Sequence, residues 1–289
     1  LGGIVPDINI AIIKLDAESA AALSKPIVKM IEAVQQVFRP GLIVKTAKAK
    51  GKAAVIQAQA DVAVREILDA AETDRTRRAM SRFIAVETER QENMEAVIDE
   101  SIRLLPESVS ETPVDPGWIA TFFDCVKDVS EKDLRTVWAK LLANEVTEPG
   151  ACSRRTLRIL QDLAPDDAAV FGRACSVALT ADQTAFIPVS RDTGIPYFIS
   201  YDDCLRLISC GLLAPAAVWT VTKSRRATLK NGTTVVITAP ATVPGVKGMP
   251  FTRSGIELSR IVGPLALPQD LTDATVDILL QYGVDVAVL

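Results

Sequence analysis

"WAKLLANEVTEPGACSRRTLRIL" occupies residues 138–160. Trp138, Leu141 and Leu142 fall on one side of a helix, and Pro149-Gly150 stops it. Ser153 then offers a hydroxyl to cap a new helix, in which Leu157 and Leu160 face inward. The stretch predicts a joint between two helices and a boundary between a helical first half and a different second half. It also holds residue types that active sites use: Glu145, Cys152, Arg154 and Arg155. As a joint, it brings Glu145 within sequence reach of Arg154 or Arg155, and an ion pair across the turn is expected to act as a hinge.

The 289 residues contain no histidine. That removes the commonest general base, the Ser-His and Cys-His pairs and most zinc sites. No catalytic, cofactor or metal site is expected; a catalytic alternative would have to be built from Glu145, Arg154 and Arg155 with Cys152. The five cysteines (Cys125, Cys152, Cys175, Cys204 and Cys210) are scattered and odd in number, which suits reduced, mostly buried thiols. The uncharged run Leu207–Thr222 is broken by Gly211 and Pro215 and is too short to span a bilayer, which takes roughly 20 apolar residues. A cytoplasmic protein is expected, touching a membrane only peripherally, on activation.

On the N-terminal side of the joint the reading is helical. Residues 1–22 form a leader. In "LSKPIVKMIEAVQQVFRPG", Ser24 caps a helix, Pro26 suits its first turn, and Ile27, Met30, Ile31, Val34 and Phe38 share one face. That face is expected to enter a core, the alternative being a membrane surface edged by Lys25, Lys29 and Arg39. From Leu42 to Leu105 no proline intervenes. Ile56, Ala60, Ala63, Ile67 and Ala70 make a coiled-coil-like seam, which fails at the polar Glu72–Ala79 and resumes with Met80, Phe83, Ile84, Met94, Ile98 and Leu105. Residues 23–105 are therefore expected to be a helical arm that assembles subunits. Glu92, Glu95 and Asp99 read as its solvated acidic face. A linker, 106–117, leads to a central helical segment, 113–149. There Trp118, Phe122 and Val126 share one face, and a second helix is capped by Ser130.

Beyond the joint the character changes. "TAFIPVS" reads as a strand and "YDDCLRLISCGLL" as an amphipathic helix. "VWTVTKSRRATLKNGTTVVITA" reads as a β-hairpin turning at Asn231-Gly232, and "FTRSGIELSRIVG" as a strand leading into a helix. Three helices, a two-stranded wing and a following helix give the order of a winged-helix-like α+β domain at 150–265. The tail, 266–289, is a short helix with an apolar end able to form a strand. The fold class expected is mainly α with a small β part.

Charge is unevenly spread. Residues 1–149 carry 19 basic against 24 acidic groups, 150–265 carry 13 against 8, and 266–289 carry none against 4. Opposed blocks of this kind attract within a chain or between subunits. Arg225, Arg226 and Lys230 on the wing offer contacts for nucleic acid or a partner. The helix in the recognition position carries only Arg206, beside Asp202 and Asp203, which suits a protein partner better.

Several elements together resemble the bacterial domain-of-unknown-function family numbered 2806. They are Gln91, Asn93 and Glu95; Trp118, Phe122 and Phe123; Trp138, Ala139, Leu142, Ala143 and Glu145; and Pro149, Gly150, Ser153, Arg155, Thr156 and Leu157, with "SKPIVKMIEAV" near the start. The likeness covers residues 20–175 well and the rest loosely. Asn144 stands where glycine is usual in the family, and Cys152 where an aromatic is usual. A more distant likeness to abortive-infection proteins implies a role in defence against phage. The expectation is a non-enzymatic, oligomerising scaffold or sensor. It would form a homo-oligomer and hold a protein partner, with no small-molecule substrate. Nucleic-acid binding through the winged module and peripheral membrane action are the alternatives.

Overall fold

The computed structural model describes residues 24–38, 74–181, 184–194, 196, 199–219, 224–229, 232–239, 245–262 and 271–289. The leader, the seam from Ile56 to Ala70, the Pro40-Gly41 stop and Lys230 lie outside these. The chain divides into two compact units, Leu1–Gly150 and Ala151–Leu289. Among the described residues the fold is mixed α+β, with nine helices and a seven-stranded antiparallel sheet.

The first unit is helical. Its elements are α1 (Lys25–Phe38), α2 (Asp74–Arg103), α3 (Pro116–Val126) and α4 (Lys132–Thr147). α1 packs on α3 and α4 and buries Met30, Ile31, Ala33 and Val34. The apolar face that could have met a membrane is thus committed to the interior. Asp115 starts α3 by accepting the Trp118 N–H at 2.8 Å. Phe122 sits between the two tryptophans, stacked on Trp118 at 5.2 Å and edge-on to Trp138 at 5.6 Å. α4 begins one residue later than the sequence suggests. Its N-cap is Glu131, which makes no side-chain cap, and the first helical bond runs from Arg135 N–H to the Glu131 carbonyl at 3.0 Å.

α2 has 30 residues and so runs about 45 Å. Its C-terminal half buries Val97, Ile98 and Ile102 and packs on α4. Asn93 is the polar member of that face. It gives its amide N–H to the Lys127 carbonyl at 3.1 Å and accepts from Arg135 at 2.8 Å. A buried amide satisfied on both ends fixes the position of α2 along the α3–α4 loop. Arg90 extends the clasp by pairing with Asp128 at 2.7 Å.

The second unit runs α5 (Arg154–Asp162), α6 (Pro165–Val177), β1 (Leu179–Ala181), β2 (Thr184–Pro188), α7 (Tyr201–Ser209), β3 (Ala217–Trp219), β4 (Ser224–Leu229), β5 (Thr234–Thr238), β6 (Val246–Pro250), α8 (Arg253–Ser259), α9 (Leu271–Leu280) and β7 (Asp285–Val288). Strand order is β3-β6-β2-β1-β4-β5-β7. The β part is therefore larger than a small wing. The expected hairpin exists as β4–β5. Gly232, at φ +89°, closes it by donating to the Leu229 carbonyl. Val218 and Trp219 do not extend it; they form β3, which pairs with β6 at the other end of the sheet. The place beside β4 is taken by β1, through Leu179↔Leu229 and Thr180↔Thr228. The apolar end of the tail becomes edge strand β7, paired with β5.

Period-two alternation decides the core. Leu179, Phe186, Ala227, Leu229, Val235 and Ile237 point to one face, where Leu279 of α9 and Val284 join them. The opposite face of β4 and β5 presents Arg226, Thr228, Thr234 and Thr238, all exposed or half-buried.

Removal of Phe122 leaves both tryptophans facing a cavity. Phe122→Ala should lower the unfolding free energy by about 3–5 kcal/mol, and urea titration followed by tryptophan fluorescence measures it. A loss below about 1 kcal/mol would mean the aromatic layer collapses to fill the space.

Candidate functional site

At the end of α4 the chain turns through Pro149-Gly150. Gly150 has φ +91°, a backbone conformation that a side chain resists. Its N–H donates to the Glu145 carboxylate at 2.7 Å, and Glu145 is buried, 1% exposed. In the structure, then, Glu145 accepts from the turn that follows it. Arg154 and Arg155, its expected ion-pair partners, open α5 and are solvent-exposed.

Two adjacent arginines at a helix N-terminus work against the helix dipole. The second unit offsets this with a carboxylate from elsewhere in the chain. Glu257 of α8, 6% exposed, accepts the Ser153 N–H at 2.7 Å and the Thr156 hydroxyl at 2.6 Å through one oxygen. Its other oxygen accepts from Arg253 at 2.7 Å. Ser153 caps α5 by accepting the Thr156 N–H at 3.3 Å. An ionised carboxylate only accepts, so the Thr156 hydroxyl proton is committed to Glu257. The 2.9 Å contact between the two hydroxyls must then run from Ser153 to Thr156. Burial alone would raise the Glu257 pKa; the hydrogen bonds from Thr156, Ser153 and Arg253 outweigh it and hold the carboxyl below the ordinary glutamate range.

This cluster is a clasp between α5 and α8, and its polar atoms are turned on one another. Cys152 beside it is buried, its thiol directed at the Ser153 carbonyl at 3.7 Å. Two of the other thiols are poor nucleophiles. Burial and neighbouring Asp203 push Cys204 up to about 11, and burial and Asp167 raise Cys210.

In α7, Arg206 pairs with Asp167 of α6 through its Nε at 2.9 Å and Nη2 at 2.5 Å, and Arg173 of α6 pairs with Asp203 at 3.2 Å. The charges of α7 thus dock it onto α6. Its exposed side chains include Tyr201 (60%), Leu205 (46%) and Asp202. Arg226 of β4 is exposed, and Arg225 is half-buried on the other face of the strand. The structure therefore brings Ser153 into a cluster with Glu257, buries Trp118, Phe122 and Trp138 together, and leaves Arg206 and Arg226 on separate elements.

Sequence reading missed Glu257 and the clasp role of Asn93. Glu257 is the sole glutamate between 150 and 265. A lone acid on an otherwise apolar turn, "GIELS", was the available signal, but its partner lies 104 residues away.

The model of the family described as "Protein of unknown function (DUF2806)" matches residues 77–268, and the chain belongs to that family. The match leaves out "SKPIVKMIEAV" and extends well beyond residue 175, over the sheet. No curated protein and no solved structure matches the chain. Within the match, Gly150 is the turn glycine, Ser153 the N-cap, Thr156 a donor to Glu257, and Leu157 is fully buried.

Because the folded pKa of Glu257 is depressed, the unfolded chain takes up the proton first. The carboxylate's stabilisation is complete above the unfolded value near 4.5 and is lost as pH falls through the lower folded value. Glu257→Gln should cost on the order of 1–3 kcal/mol at pH 7 and flatten the fall in stability between pH 5 and 3. Urea unfolding across that range tests both; an unchanged acid limb would remove Glu257 as its source.

Proposed function

We propose that the protein is a non-enzymatic, oligomerising interaction protein whose helical unit assembles copies of the chain and whose second unit, winged-helix-like in element order, holds a protein partner. The observation that carries this is on α2. Phe83, Ile84 and Val86 are 62%, 49% and 37% exposed on the helix that carries the buried Val97 and Ile98 further along. Apolar groups clustered on an exposed stretch of helix mark an association surface. The charged groups that could have served chemistry are engaged internally: Glu257 with Ser153, Thr156 and Arg253, Arg206 with Asp167, and Glu145 with Gly150. Tyr201 and Leu205 beside Asp202 suit a protein surface better than phosphate. A place in defence against phage, expected from the sequence, is part of this proposal.

A second reading, nucleic-acid binding, is favoured by exposed Arg226 in a net-basic block. Salt-sensitive binding of duplex DNA, lost in Arg225→Ala/Arg226→Ala, would establish it in place of the protein dock.

Light scattering on the full chain at increasing concentration is the direct test of assembly. A mass above the monomer is expected, and Phe83→Asp/Ile84→Asp should return it to the monomer with the melting temperature unchanged, since both side chains are exposed. A wild-type chain that stays monomeric at high micromolar concentration overturns the reading.

A further inference from the structure

The exposed stretch of α2 also specifies how its partner must lie. From Arg90 onward α2 is clasped by the α3–α4 loop and α4. Before that, residues 76–89 are exposed apart from half-buried Met80. Thr76, Ala79, Phe83, Val86, Arg90, Asn93 and Val97 follow one another at alternating steps of three and four. They form one continuous face, buried at Asn93 and Val97 and open at Phe83. Met80 and Ile84 border it. Phe83, Val86 and bordering Ile84 keep it apolar past the point where the described bundle residues cover it, and a second helix of the same character would complete it.

Charge selects that helix. Arginines at 75, 77, 78 and 82 precede the apolar centre, and glutamates at 87, 89, 92 and 95 follow it, with Arg90 as the exception. At about 100° per residue, Arg78, Arg82 and Glu89 lie along one flank of the stripe, and Arg77 and Glu95 along the other. Two parallel copies in register would set arginine against arginine and glutamate against glutamate. Two antiparallel copies, related by a twofold axis near Phe83 and Ile84, set like flanks together and place Arg78 and Arg82 of each beside Glu89 of the other.

We propose that the exposed half of α2 is a self-complementary interface at which two copies of the chain pair antiparallel about Phe83–Ile84. This rests on the assembling role proposed above and adds the partner, a second copy, and its direction. The pairing is isologous, so it closes at a dimer and leaves neither stripe open.

Sedimentation equilibrium on full-length variants tests the direction separately from assembly itself. Arg78→Glu/Arg82→Glu places acid against Glu89 and should weaken the dimer at least about tenfold. Glu89→Arg should do the same with a basic group. Combining all three substitutions restores opposite charges across the axis and should recover wild-type association. Circular dichroism melting confirms that each variant folds; these three side chains are exposed. A wild-type dimer that neither variant weakens overturns the antiparallel interface while sparing the assembling role. A wild-type monomer overturns both.

Discussion

A carboxylate that is nearly sealed from water stays ionised only if its lone pairs are filled by donors. Glu257 meets that condition with a backbone N–H, a hydroxyl and a guanidinium. The arrangement of α5 and α8 follows from it. The N-terminus of α5 supplies the first two donors and Arg253 of α8 the third, so neither helix can shift without stripping a buried charge. The start of α8 is held as firmly. Thr252 donates to the Gly211 carbonyl at 2.6 Å, and Gly255 lies so near Leu212 that an added Cβ would meet the Leu212 carbonyl oxygen at 2.1 Å. Polar contacts of this stringency position helices more sharply than apolar burial, which is non-directional.

The helical unit reaches the same end with a neutral group. Asn93 has one donor side and one acceptor side, and both are used, by Lys127 and Arg135. Leucine there would bury well but leave the Lys127 carbonyl and the Arg135 guanidinium to find other partners. The aromatic layer of Trp118, Phe122 and Trp138 supplies the bulk of the burial, and Asn93 sets the register of α2 along it. The result is a 30-residue helix whose second half is held by the described elements of the unit.

Local elements were legible where one short pattern controls them. Ser153 marked the start of α5, and Asn231-Gly232 marked the β4–β5 hairpin. What was not legible is non-local. "VWT" and "SRRATL" look continuous in sequence, yet Val218 and Trp219 form the edge strand β3 while "SRRATL" is β4, with β6, β2 and β1 between them. The candidate site shows the same limit. Ser153 was legible as a cap from its own neighbourhood. Glu257, which completes that cap from 104 residues away, was not, and neither was the bond that Glu145 accepts from the Gly150 N–H of its own turn.

Glu145, Ser153 and Thr156 of the stretch 138–160 make structural hydrogen bonds, and this redirects attention to what the fold leaves exposed. A buried glutamate, a capping serine and a threonine in hydrogen-bond sequence resemble a relay, but a relay needs an open end at which a proton can enter or leave. Here the chain of donors begins at the Ser153 hydroxyl and ends on a carboxylate already paired with Arg253. Its depressed pKa opposes proton uptake at neutral pH. The exposed half of α2 is the reverse case. Among the described residues its apolar side chains lie exposed, and arginine first and glutamate after is the order that the proposed antiparallel pairing would use. A surface that recognises its own copy in one direction needs both features.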